Sequence, residues 1–172
     1  MIGIIFIATL VMGYFLILNS KIKNKGTLLL EKIVTGLLSA SLFSLILAYL
    51  GHIPIEKQDV NVGYSSFGGL FGVYFMYSLP VFLLYGGLYS VFTDIYLNNI
   101  YFRNPLLKYI AGLLAYLVGG LLIVGVFYLI LLIINENINK LFILDLFKVS
   151  ALPSLLFYHI SLLYKGALKF VR

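Results

Sequence analysis

The chain contains no cysteine and no tryptophan, and only six of its 172 residues are acidic. Without cysteine there can be no disulfide, thiolate nucleophile or Cys-ligated metal, although the redox compartment stays open. Without tryptophan, any aromatic belt at a lipid–water boundary must be built from the 14 tyrosines. Charged residues of both signs make up only 10% of the chain, too few to solvate a soluble domain of this length. There is no linker rich in Pro, Ser or charge, so residues 1–172 read as a single domain.

What fills the chain is apolar: 62% of residues are hydrophobic and the mean hydropathy is +1.08. These residues fall into runs near 2–18, 28–50, 67–92, 106–134 and 141–164. A helix crosses a hydrocarbon core of about 30 Å with roughly 20 apolar residues. The runs are apolar on every face and lack the alternation of a barrel strand, so their backbones can be satisfied only as helix. The expected fold is therefore all-α, a polytopic transmembrane bundle of about five spans. The first run has no basic stretch before it and no small-residue cleavage site after it, so it reads as a span rather than a signal peptide.

The formal charge of +6 is explained by topology better than by nucleic acid, because the basic residues are separated by spans. Lys21, Lys23, Lys25, Lys32, Arg103, Lys108, Lys165, Lys169 and Arg172 fall on one side of the expected bundle; Lys57, Lys140 and Lys148 fall on the other. The richer side is cytoplasmic by the positive-inside rule, which leaves the N-terminus outside and the C-terminus cytoplasmic in a bacterial cytoplasmic membrane.

Small residues recur at i, i+4 on three helices: Gly36, Ala40, Ser44 and Ala48; Gly68 and Gly72; Ala111, Ala115 and Gly119. Such stripes let helix backbones approach closely in lipid, within one chain or between copies. The run from Phe67 to Phe102 is too long to lie wholly in lipid, and Pro80 near its middle predicts a kink or hinge. Asp94 interrupts that run, with Ser90, Gly86, Phe82 and Ser78 behind it at steps of four; a carboxylate there is a candidate polar or ion site, to be satisfied by headgroup water, Arg103 or Lys108. Tyr85 and Tyr89 lie on a neighbouring stripe, each with a hydroxyl that needs a partner, either in a polar cavity that they line or across to another helix. His159 in the last span joins the candidates as a relay residue, beside Tyr158 and one turn from Ser154. His52 falls in an outer loop, so the two histidines cannot share a metal.

No H-E-x-x-H, G-x-S-x-G or Walker A pattern occurs, and no pair of carboxylates has an evident common home. Neither enzymatic activity nor a metal or other cofactor is expected. The partners expected are the bilayer and either a second copy, giving a homo-oligomer, or another membrane protein; nucleic acid is not expected. The function expected is association, as a pore-forming or regulatory component. The alternative is a small transporter or substrate-binding membrane subunit using the Tyr85, Tyr89 and Asp94 face, its ligand unspecified.

The stretch PVFLLYGGLYSVFTD, with Pro80, Tyr85, Gly86, Ser90 and Asp94, resembles a segment of a family of small uncharacterised bacterial membrane proteins of about four spans. The resemblance runs from Leu38 to Leu132. It implies a helical membrane fold and no particular activity. The chain departs from that pattern in its additional first span and in a last span that carries His159 and Pro153.

Overall fold

The computed structural model describes residues 25–57, 63–134 and 140–171, with side chains described over 26–57, 63–125 and 150–167. The first expected span, residues 2–18, lies outside the described residues. Among the described residues the fold is helical with no strand: α1 (Lys25–Gly51), α2 (Phe67–Asn99), α3 (Pro105–Ile134) and α4 (Lys140–Val171), with one 3-10 turn at Ile55–Lys57. Three helical stretches, Gly26–Gly51, Phe67–Asn99 and Pro105–Gly125, are long and apolar enough to cross a membrane.

Each boundary follows from local chemistry. Ser66 takes an extended backbone and its Oγ accepts from the Gly69 N–H at 3.1 Å, which satisfies one of the orphan donors at the start of α2. α3 opens on Pro105, where the missing N–H costs nothing, and Asn104 Oδ1 accepts from the Leu106 N–H at 3.0 Å.

Within α2 the sequence pattern predicts a kink or hinge at Pro80, and the helix is irregular just beyond the proline. It continues to Asn99, with one wide π-type turn at Phe82–Gly86 between two α-helical segments, Phe67–Val81 and Gly87–Asn99. The proline ring cannot sit against the carbonyl four residues back without displacing it, and a widened turn just beyond it takes up the resulting misfit.

The four helices form a closed ring. α1 packs on α2 and α4, and α3 packs on α4 and on the segment of α2 beyond its π turn. The ring is held by small residues. A Cβ at Gly36 would fall 2.7 Å from the Leu83 side chain, so α1 meets α2 there at backbone distance. Gly119 leaves the space that the Tyr89 ring fills. A Cβ at Gly112 would lie 2.8 Å from Tyr158 Cζ, and one at Gly120 would lie 2.8 Å from the Ser150 carbonyl oxygen on α4. Inside the ring Phe43, Phe82, Tyr116, Phe157 and Tyr158 form the aromatic core. The Phe82 and Phe157 rings stack with centroids 6.3 Å apart, and Tyr116 lies 4.9 Å from Tyr158.

Candidate functional site

At the end of the ring where α1 begins and α2 and α4 finish, four charged side chains meet. Lys32 Nζ donates to Glu31 Oε1 at 2.9 Å and to Asp94 Oδ2 at 2.6 Å. Lys165 Nζ donates to the same Asp94 oxygen at 2.7 Å and stands 3.6 Å from Glu31 Oε1. Ser161 donates to Glu31 Oε1 at 3.2 Å. The tetrad is electrically neutral and ties three helices together, while α3 is left out of it.

The burial is deep. The Lys32 and Glu31 side chains are 5% and 9% exposed and Asp94 is 18% exposed, while Lys165 reaches outward at 36%. Taking an ion out of water costs several kcal/mol even after relaxation, and only close pairing repays it. Such a cluster is therefore a poor way to add stability and a good way to fix which helix ends sit together. One and two turns deeper along α1, the hydroxyls of Thr35 and Ser39 are fully buried with no hydrogen-bond partner. They extend the Glu31 face into the bundle as a polar strip.

The expected partners of Asp94 are therefore corrected. Arg103 and Lys108 do not reach it; Lys108 instead donates to Asn98 Oδ1 at 2.9 Å. The carboxylates also have a common home after all, since Glu31 and Asp94 share both lysines. Lys32 and Lys165, which sequence reasoning spent on topology, are members of the site. Lys32 carries a partial signal, a lysine that follows a glutamate inside an apolar helix, and nothing local marks Lys165.

The remaining candidates are distributed along the bundle. Ser90, one turn from Asp94, is fully buried and hydrogen-bonds the Tyr116 hydroxyl. Tyr89 donates to the Ala115 carbonyl at 2.7 Å, joining α2 to α3. Tyr85 makes no contact with Asp94; it lies at the rim of a cavity described below. His159 is on another surface altogether, exposed on α4. Its Nδ1 is 2.8 Å from the Leu155 carbonyl, which can only accept, so Nδ1 donates there, and Nε2 hydrogen-bonds the Tyr109 hydroxyl at 3.0 Å. Both ring nitrogens thus have partners outside the tetrad.

The small-residue stripes differ in the same way. Ala40, Ser44 and Ala48 are wholly buried, and Ser44 hydrogen-bonds Ser78 at 2.9 Å, so this stripe is covered by α2 of its own chain. Ala115 and Gly119 receive Tyr89, while Ala111 is half-buried one turn back. Gly68 and Gly72 face outward, with nothing within 4 Å of where a Cβ would stand.

Away from the tetrad the ring borders a cavity of about 320 Å³, open on one side and lined by residues of all four helices. Its floor is the aromatic core of Phe82, Tyr116 and Phe157, and its sides include Phe43, Val124 and Pro153. None of the lining side chains is charged. This volume lies at the lower end of those that hold small molecules, which are about 300–1,000 Å³. The cavity exists because α2 leans on α1 before its π turn and on α3 after it, which parts the first half of α2 from α3. Sequence reasoning gave Tyr85 and Tyr89 either a polar cavity to line or an interhelical hydrogen bond to make; Tyr89 makes the bond, and both border the cavity, with the Ser90–Tyr116 bond between it and the charges.

Compared with family models, curated proteins and solved structures, the chain matches none.

Proposed function

We propose that this is a non-catalytic integral membrane protein that holds a small apolar molecule in the cavity between α2 and α3, as a small transporter or a substrate-binding membrane subunit. The observation that carries this reading is the cavity itself: about 320 Å³, uncharged, and walled by side chains from every helix of the ring. The tetrad serves it as a clasp that closes one end of the bundle. A π turn on α2 and Pro153 on α4 lie between the clasped ends and the opposite halves of those helices, which supplies two places where the clasped end can swing. In this reading the chain has about five spans in a bacterial cytoplasmic membrane, with the N-terminus outside, the C-terminus cytoplasmic and the clasp on the cytoplasmic side.

The test is thermal stability of the purified protein in detergent against a panel of apolar compounds and polar solutes of similar size. A ligand that binds only the folded state at 100 times its Kd adds about 2.7 kcal/mol. Apolar compounds should raise the melting temperature, and the cavity-filling variant Val124→Phe should not respond. A rise with polar solutes alone would overturn the proposal.

A second reading, association with another copy or another membrane protein, keeps one specific support. Gly68 and Gly72 present an uncovered close-approach stripe on α2. The stripe on α1 no longer supports it, since α2 covers that face.

A further inference from the structure

Resting on that reading of the cavity, we propose that its occupant is a single aliphatic chain of a bilayer lipid, entering sideways between α2 and α3. The first argument is where the mouth lies. Tyr77, Val81 and Tyr85 line the cavity and are also exposed on the outside of α2, at 76%, 43% and 42%. They stand around the middle of a 33-residue helix, which is roughly 50 Å long at 1.5 Å per residue. A hydrocarbon core of about 30 Å centred on this helix covers all three. Whatever stands at the mouth is therefore lipid tail and not water.

The second argument is the chemistry of the wall. Four of its hydroxyls are already committed: Ser78 to Ser44, Tyr89 to the Ala115 carbonyl, Tyr116 to Ser90, and Ser154 to the Ala151 carbonyl. With their polar atoms turned to protein partners, these side chains offer the cavity carbon surface, and only the hydroxyls of Tyr74, Tyr77 and Tyr85 are left on the lining without such a bond among the described residues. A polar solute would lose its hydration there and gain few partners in exchange. An aliphatic chain has no hydration to lose on moving in from hydrocarbon, and it exchanges contacts with other tails for those of a shaped, aromatic wall.

The third argument is that the cavity is closed toward the charged end. The Phe82–Phe157 stack and the Ser90–Tyr116 bond form its floor, and the tetrad lies beyond them. An occupant comes from the side.

The test uses the full chain reconstituted in phosphatidylcholine vesicles that contain phosphatidylcholine with a diazirine at the middle of one acyl chain. After irradiation, the adducts are mapped by mass spectrometry. Phe82 and Phe157 are 5% and 2% exposed, so a reagent reaches them only through the cavity, whereas Leu114 and Leu122 face outward at 56% and 59%. Adducts are expected on both sets, and Val124→Phe should cut those on Phe82 and Phe157 several-fold while leaving those on Leu114 and Leu122 unchanged. Ile123→Phe, from the neighbouring wall position, should do the same if Val124→Phe does not fold. Labelling confined to Leu114 and Leu122 would overturn the lipid proposal. If a water-soluble diazirine then labels Phe157, the cavity takes an aqueous solute and only the lipid assignment falls; if neither reagent reaches Phe157, the cavity reading falls with it.

Discussion

Replacing Lys32 by Met keeps a long side chain in place and removes one charge from the buried tetrad. The structure gives the consequence. Glu31 loses its 2.9 Å partner and is left with the Ser161 hydroxyl at 3.2 Å and Lys165 at 3.6 Å, while Asp94 keeps Lys165 at 2.7 Å. Two carboxylates then share one lysine that is itself 36% exposed. Breaking a buried ion pair by removing one partner costs about 3–5 kcal/mol, because the survivor is a buried charge without compensation. Since Lys165 still screens both acids, the lower end applies, about 3 kcal/mol, which for a protein of this size is a fall in melting temperature of roughly 6–12 °C. The assay is helical circular dichroism on heating in a mild detergent. Lys108→Met, which loses only an exposed contact with Asn98, serves as the control and should change stability by no more than about 0.5 kcal/mol. The double variant Lys32→Met/Glu31→Gln leaves a neutral Asp94–Lys165 pair and should recover much of the loss. If Lys32→Met melts with the control, or if the double variant is worse than the single one, the tetrad does not act as the clasp described.

Other expectations follow from the packing. Gly112→Ala would place a methyl group against the Tyr158 ring, so Tyr158 must move and lose its bond to the Tyr109 carbonyl; a loss of about 1–3 kcal/mol is expected in the same melting assay. Ala40→Leu, at a position with no exposed surface, should lower the melting temperature or expression without changing the size of the detergent-solubilised particle. Gly68→Leu should leave stability unaltered, and a change of particle size with that variant would favour the second reading of function. Single cysteines at Asn104 and Glu56, introduced into a chain that has none of its own, should be respectively shielded from and reactive toward an impermeant thiol reagent in intact cells; the reverse pattern would invert the orientation.

What the sequence makes legible is what local chemistry decides. Hydrophobic length marks helices, and α3 runs Pro105–Ile134 where the apolar run reads 106–134. Local reading is less complete at α2, which continues past Phe92 to Asn99 because Ser90, Thr93 and Asp94 find partners or burial inside the ring rather than ending the helix. Asp94 stands out in the sequence as an acid that interrupts an apolar run. Its partners do not, since Lys32 and Lys165 are 62 and 71 residues away and a lysine near a helix end looks the same whether it faces a headgroup or a carboxylate. Small-residue stripes are equally visible and equally mute about their neighbour: the stripe through Ala40 meets α2, while that of Gly68 and Gly72 meets nothing among the described residues. A cavity beside Tyr85 and Tyr89 is legible only as a polar possibility, not its place or its largely apolar wall. It is a space between surfaces, opened by a single π turn that follows Pro80, and the sequence announces the proline but not the remedy.

The central claim is that a ring of helices clasped by charge at one end keeps an apolar cavity at its middle. A density map of the full chain in lipid nanodiscs tests it most directly. The account predicts Lys32 and Lys165 joined to Asp94, and elongated density between Tyr85 and Val124. A continuous aqueous path past Asp94, or a cavity collapsed with Phe157 packed against α2 and no space beside Val124, would contradict it.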